Sequence, residues 1–134
     1  MSALLSTVLA ATLAATSWSS GSGFSAQVSG IASATAQVTY IDGEEIRVDS
    51  MSVSDLRVDG HSVYAYWVIR TPEGYSSKTG ARVNSQDANT TLTWRNLRIT
   101  DKHYGLKKLQ LVVCVDDWGT DTCRASGVQV NPRF

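Results

Sequence analysis

The sequence predicts an all-β chain: an antiparallel β-sandwich, immunoglobulin-like or similar, of about seven to eight strands. Three observations carry this. Apolar and polar residues alternate with period 2 along most of the chain, which places one side of each segment in a core. Turn signals recur roughly every ten residues, the spacing of short antiparallel strands. Thr, Ser and Val are abundant while Lys and Glu number four and three, a mix that suits strands more than helices. After residue 26 no segment of ten or more residues carries a helical stripe.

The elements follow in order. Ala3 to Ala15 is an uncharged apolar run of 13 residues. A bilayer span needs about 20, so the run fits the apolar region of a secretory signal better than a membrane helix. Small residues follow it, with candidate cleavage points after Ala14, Ser19 or Ala26. No Lys or Arg precedes the run, so an upstream start encoding the basic segment is expected. Thr16 to Ser25 reads as a Ser/Gly-rich linker holding Trp18 and Phe24. Residues 1–25 are therefore expected to be leader and linker, and residues 26–134 a single β-sandwich domain.

Ala32, Ala34, Ala36, Val38 and Tyr40 fall on one face of the first clear strand. Asp42-Gly43 is a turn signal, and Ile46 and Val48 continue the alternation. Val53 to Val58 reads as a further strand, with a bulge near Ser54-Asp55 because Val53 and Leu56 are out of phase. Asp59-Gly60 is a second turn. Ser62 to Arg70 is apolar on both faces, which marks a central strand: Val63, Ala65, Trp67 and Ile69 on one side, Tyr64, Tyr66 and Val68 on the other. Pro72-Glu73-Gly74 ends it. Tyr75 to Asn89 reads as a long loop or short edge strands. Thr90 to Trp94 alternates, Leu97 and Ile99 follow, and Leu109, Leu111, Val113 and Val115 line one face of another strand. Val128 to Val130 closes the pattern.

The two cysteines, Cys114 and Cys123, are separated by eight residues that include Asp116-Asp117-Trp118-Gly119. This spacing suits a disulfide stapling a hairpin in an exported protein. Free thiols, a redox pair and a metal site are the weaker readings. A redox pair wants Cys-x-x-Cys near a βαβ unit, and zinc wants four ligands, commonly in two close pairs. Asp116, Asp117 and Asp121 could serve calcium, but Asp and Gly also build turns, which is the favoured reading. No cofactor and no metal is assigned.

Acidic and basic residues balance at 12 each, so nothing electrostatic points to nucleic acid or an anionic membrane. No membrane span is expected after removal of the leader. The aromatics are the main binding candidates. Alternation places Trp67 inward and Tyr64 and Tyr66 together on the opposite face, and Trp94 is expected in the core. Tyr64, Tyr66, Tyr75 and Trp118 are the expected ligand contacts, with Asp116 and Asp117 as polar partners, because exposed rings on a β-sheet stack on the apolar faces of sugars. Catalysis has thin support. His61 and His103 stand in turns, and no Gly-x-Ser-x-Gly elbow occurs.

The segments Val58-Asp59-Gly60-His61-Ser62-Val63-Tyr64-Ala65 and Leu111-Val112-Val113-Cys114-Val115-Asp116-Asp117-Trp118, with Asp121-Thr122-Cys123, resemble small secreted proteins of actinobacteria such as streptomycetes. The resemblance covers about residues 46–130. It implies export, a compact β fold and a disulfide closing the last hairpin, and it implies no activity. The expected function is a non-catalytic extracellular binding or cell-envelope module whose ligand is a carbohydrate, cell-wall polymer or surface protein. A small secreted enzyme or enzyme inhibitor is the alternative.

Overall fold

A computed structural model describes residues 22–86, 88–117 and 119–134. The leader-like run and the linker up to residue 21 therefore lie outside the described residues, as does Trp118. Nine strands follow in chain order: β1 Ser22–Val28, β2 Ala32–Tyr40, β3 Glu45–Asp55, β4 Val63–Arg70, β5 Ser76–Asn84, β6 Thr90–Thr100, β7 Lys108–Val115, β8 Thr122–Ala125 and β9 Gln129–Val130. They form two antiparallel sheets. One runs β1-β2-β3-β6, the other β5-β4-β7-β8, with β9 also on β7. The sheets pack face to face as a β-sandwich, as the period-2 pattern requires. The strand order is a three-strand meander extended by β6, rather than the ABED/CFG arrangement of constant-type immunoglobulin domains.

The core comes from alternate residues of both sheets. Ala32, Ala34, Ala36, Val38 and Tyr40 of β2 are all buried, and across from β2 lie Leu109, Leu111, Val113 and Val115 of β7. Trp67 of β4 is 1 % exposed and meets Phe24 of β1 edge-to-face at 5.1 Å. Trp94 and Leu97 pack against this core from β6 while staying partly accessible. Burying such side chains fully is worth about 1.5–3 kcal/mol each, which makes this interior the main source of stability.

Three boundaries differ from the expected ones, each for a physical reason. The fold does not begin at Ala26, because β1 already spans Ser22–Val28. Phe24 is the cause: it alternates with Ala26 and Val28 into the core, and a Ser/Gly context conceals that phase. Second, the phase change of β3 sits at Asp49-Ser50 instead of Ser54-Asp55. Val38 pairs with Val48 while Gln37 pairs with Ser50, so Asp49 is the extra residue of a bulge. Ile46 and Val48 are buried before it and Met51, Val53 and Asp55 after it. The strand therefore stops at Asp55, and Val58, expected in it, is exposed. Third, the polar run after Tyr75 holds one nine-residue strand, β5. Of the two expected alternatives, a long loop or short edge strands, the edge strand is the one formed, as a single strand with most of its side chains in water.

Two buried asparagines seal the ends. The Asn84 amide nitrogen donates to the Val53 and Thr90 carbonyls at 3.0 and 3.1 Å, and its oxygen accepts from the Gln86 amide at 3.0 Å. Asn131 does the same at the other end, donating to the Asp42 and Leu106 carbonyls and accepting from the Arg133 amide. Phe134 then lies over Gly105, where a Cβ would come within 2.8 Å of its ring.

Candidate functional site

The outer face of β4 carries the aromatic pair. Because β4 alternates strictly, burying Val63, Ala65, Trp67 and Ile69 forces Tyr64 and Tyr66 outward together. Their rings lie 6.2 Å apart at an interplanar angle of 25°, a stacked platform. Beside it is a groove of about 470 Å³, within the size range of ligand sites. Lys78, Gly80, Ala81, Asp121 and Cys123 complete its walls.

Each neighbour is positioned by a local device. On β5, Ala65 pairs with Arg82 and Trp67 with Thr79, so Gly80 and Ala81 stand opposite Tyr66 alone. This is a bulge, and its first residue, Gly80, takes φ of 68°, the left-handed conformation that favours glycine. A Cβ at Gly80 would also stand 3.1 Å from Trp67 Cδ1. The indole Nε1 of that tryptophan is buried with no hydrogen-bond partner, the sole such side-chain atom among the described residues. Past the bulge, Lys78 places its ammonium 5.0 Å from the Tyr66 ring centroid, a cation–π contact worth about 0.5–1 kcal/mol at an exposed site.

On the other side, the disulfide Cys114–Cys123 joins directly paired residues of β7 and β8. Neither cysteine is free, so the staple reading holds over thiol, redox and metal readings. The staple fixes the start of β8, and with it Asp121. The Tyr64 hydroxyl donates to Asp121 Oδ2 at 2.5 Å. That bond, then burial, then the charges of Asp121, Tyr66 and Asp116 push the Tyr64 hydroxyl up to about 12. Tyr64 therefore stays protonated and keeps one edge of its ring anchored.

The other expected contacts are dispersed. Tyr75 is 65 % exposed but follows Arg70, at the far end of β4, where it packs against Tyr104 at 6.1 Å. Seven residue steps of strand, about 24 Å, lie between the two ends of β4. His103 is in that cluster too, against Tyr104. Asp116 is exposed in the β7–β8 loop, and Asp117 turns inward to accept from the Thr122 hydroxyl at 3.0 Å. Among the described residues no group of three or more His, Cys, Asp or Glu side chains is placed to hold a metal. Lys78, Gly80 and Asp121 are groove residues that sequence reasoning missed as contacts. The signal available was a glycine inside an otherwise extended run, which marks a bulge or close backbone approach.

A second pocket, of about 400 Å³, lies at the end of the sandwich between the β3–β4 and β5–β6 connections. His61 lines it with Asp55, Arg57, Asp59, Ser62 and Ser85. His61 Nδ1 donates to the Asp116 carbonyl at 2.9 Å, and Asp117 Oδ1 is 3.9 Å away. The Asp59 carboxylate is held below its usual range first by the His61 amide and then by the Arg57 guanidinium.

No helix among the described residues is long and apolar enough to cross a membrane. No protein-family model, no curated protein and no solved structure matches the chain.

Proposed function

We propose that this protein is an exported, non-catalytic binding module that takes carbohydrate in the β4–β5–β8 groove, as part of a cell-wall polymer or a glycosylated surface protein. One observation carries the reading. Two stacked tyrosine rings share a groove with a carboxylate and an ammonium. A pyranose has an apolar C–H face that suits a tyrosine π-face, and hydroxyls that need both acceptors and donors. Asp121 supplies the acceptor and Lys78 the donor. The Cys114–Cys123 bond is compatible with an oxidising compartment, which supports export. The likeness of the Val58–Ala65 and Leu111–Cys123 segments to exported actinobacterial proteins points the same way.

The test is co-sedimentation with insoluble polysaccharides and purified cell wall. Tyr66→Ala removes half of the platform from a partly exposed position and is expected to weaken binding at least tenfold, about 1.4 kcal/mol. Retention of full affinity by Tyr64→Ala and Tyr66→Ala alike would remove the groove as the site. Export is read by intact mass of the protein from culture supernatant. A shortened, disulfide-bonded species is expected, and a full-length thiol form confined to cells would contradict it.

The enzyme or inhibitor reading rests on His61 sharing a pocket with Asp55 and Asp59. Its ring Nδ1 donates to the Asp116 carbonyl with Asp117 Oδ1 3.9 Å away, and both Asp59 oxygens already accept, from Arg57 Nε and the His61 amide. It predicts a hydrolytic activity abolished by His61→Ala.

A further inference from the structure

The β4–β5–β8 groove separates its charges along its length. Among its wall residues only Lys78 and Asp121 carry a full charge. Asp121 stands at the Tyr64 end and accepts from the Tyr64 hydroxyl. The Asp116 charge acts on the same hydroxyl, so that end is negative. Lys78 stands at the Tyr66 end. It pairs with Val68, the next residue after Tyr66 on the outer face of β4, and its ammonium lies 5.0 Å from the Tyr66 centroid. A π-face has a quadrupole and no net charge, so this contact orients the ammonium without neutralising it. The ion pairs among the described residues are Arg47–Asp49, Arg57–Asp59, His61–Asp117 and Arg98–Glu45, and none of them uses Lys78. Arg124 pairs with Val113, whose side chain is in the core, so it alternates away from the groove. Its guanidinium donates to the Cys123 carbonyl. Outside the described residues the sequence has no Lys or Arg, and its one acid, Asp87, follows Asn84, which pairs with Val63 beyond the Tyr64 end.

We propose that the groove selects an acidic pyranose, a hexuronate whose carboxylate is bound by Lys78, a specificity that rests on the sugar reading above. One ammonium without an anionic partner matches one carboxylate, and it offers that carboxylate three donors. A phosphate monoester carries about −1.5 to −2 and would leave charge unmatched beside Asp121. The carboxylate of a hexuronate leaves the C–H face of the ring free for tyrosine. Asp121 repels a carboxylate from the Tyr64 end, so the acid lies toward Tyr66 and the sugar hydroxyls toward Asp121. The separated charges therefore fix the direction of the chain in the groove as well as its charge.

The experiment is an NMR titration of the whole chain with tri-galacturonate and with its methyl ester, which keeps the rings and loses the charge. Saturable shifts of the Tyr66 and Lys78–Ala81 amides are expected with the acid. It should bind more tightly than the ester by about threefold or more at low salt, the range of an ion pair in contact with water. High salt should narrow the gap. Lys78 is exposed, so its replacement spares the core. Lys78→Gln should bring the two affinities together, Lys78→Arg should restore the gap, and Asp121→Asn should widen it. Equal affinities for acid and ester, or a gap that survives Lys78→Gln, would overturn uronate selection and leave the sugar site in place. Silence of the groove to both probes while neutral cell-wall oligosaccharides shift it would overturn uronate selection too. Silence to all three would remove the sugar site itself, and the selectivity with it.

Discussion

At the residue scale the decisive group is Tyr64, which stacks on Tyr66 and donates to Asp121. Tyr40 is its counterpart on β2. Burial pushes the Tyr40 hydroxyl up to about 12, a little opposed by its bond with Ser22, and its hydroxyl donates to Gln129 at 3.1 Å. Both phenols ionise near 10 when exposed. Between about pH 10 and 12 the folded chain thus holds more protons than the unfolded one. The stability contributed by these two groups is fully present below pH 10 and is lost as pH rises through 12. Denaturant midpoints measured across that window should fall, and Tyr64→Phe should make the fall shallower. A flat profile would separate Tyr64 from Asp121. Asn84 gives a second residue-scale prediction. Asn84→Ala strips partners from the Val53 and Thr90 carbonyls and should cost about 1–3 kcal/mol in chemical denaturation.

At the element scale two devices hold the groove. The first is the β5 bulge. Gly80→Ala must adopt a left-handed conformation, at about 1–2 kcal/mol, and press on Trp67 Cδ1. Urea unfolding should show that loss, and binding to polysaccharide should weaken with it, because the bulge sets Lys78 and Ala81 against Tyr66. The second is the hairpin β7–β8. β8 has four residues and no buried side chain, so the disulfide does most of its anchoring. Replacing both cysteines by alanine should cost about 2–3 kcal/mol in the chain-entropy model. The same elements explain what the sequence revealed. β2, β4 and β7 were legible because their inward residues are apolar without a break in phase. The hairpin staple was legible from spacing and turn residues. β1 was hidden by its Ser/Gly context, and β5 by having most of its side chains in water. The β3 bulge was misplaced because Leu56, out of phase with Val53, looks like a core residue in sequence yet lies past the end of the strand and is 43 % exposed. Tyr64 and Tyr66 were paired correctly by alternation alone. Lys78 and Asp121 join them through long-range strand pairing, which no local pattern encodes.

At the scale of the whole molecule, the sandwich divides its work between faces and ends. The inner faces supply stability through Trp67, Phe24 and the β2 and β7 rows. The outer face of the β5-β4-β7-β8 sheet presents the aromatic groove. One end holds the Asp55 pocket, and the opposite end holds Tyr75, Tyr104 and His103, too distant to share a small ligand with Tyr64. The proposed sugar site is the Tyr64–Tyr66 platform. The most direct measurement is an NMR titration of the whole chain with soluble cell-wall oligosaccharides, mapped by residue. Saturable shifts confined to Tyr64, Tyr66, the Lys78–Ala81 bulge and Asp121 are expected, and they are expected to be lost in Tyr66→Ala. Shifts centred on Tyr75 and Tyr104, or along the β6 edge with the groove silent, would contradict it.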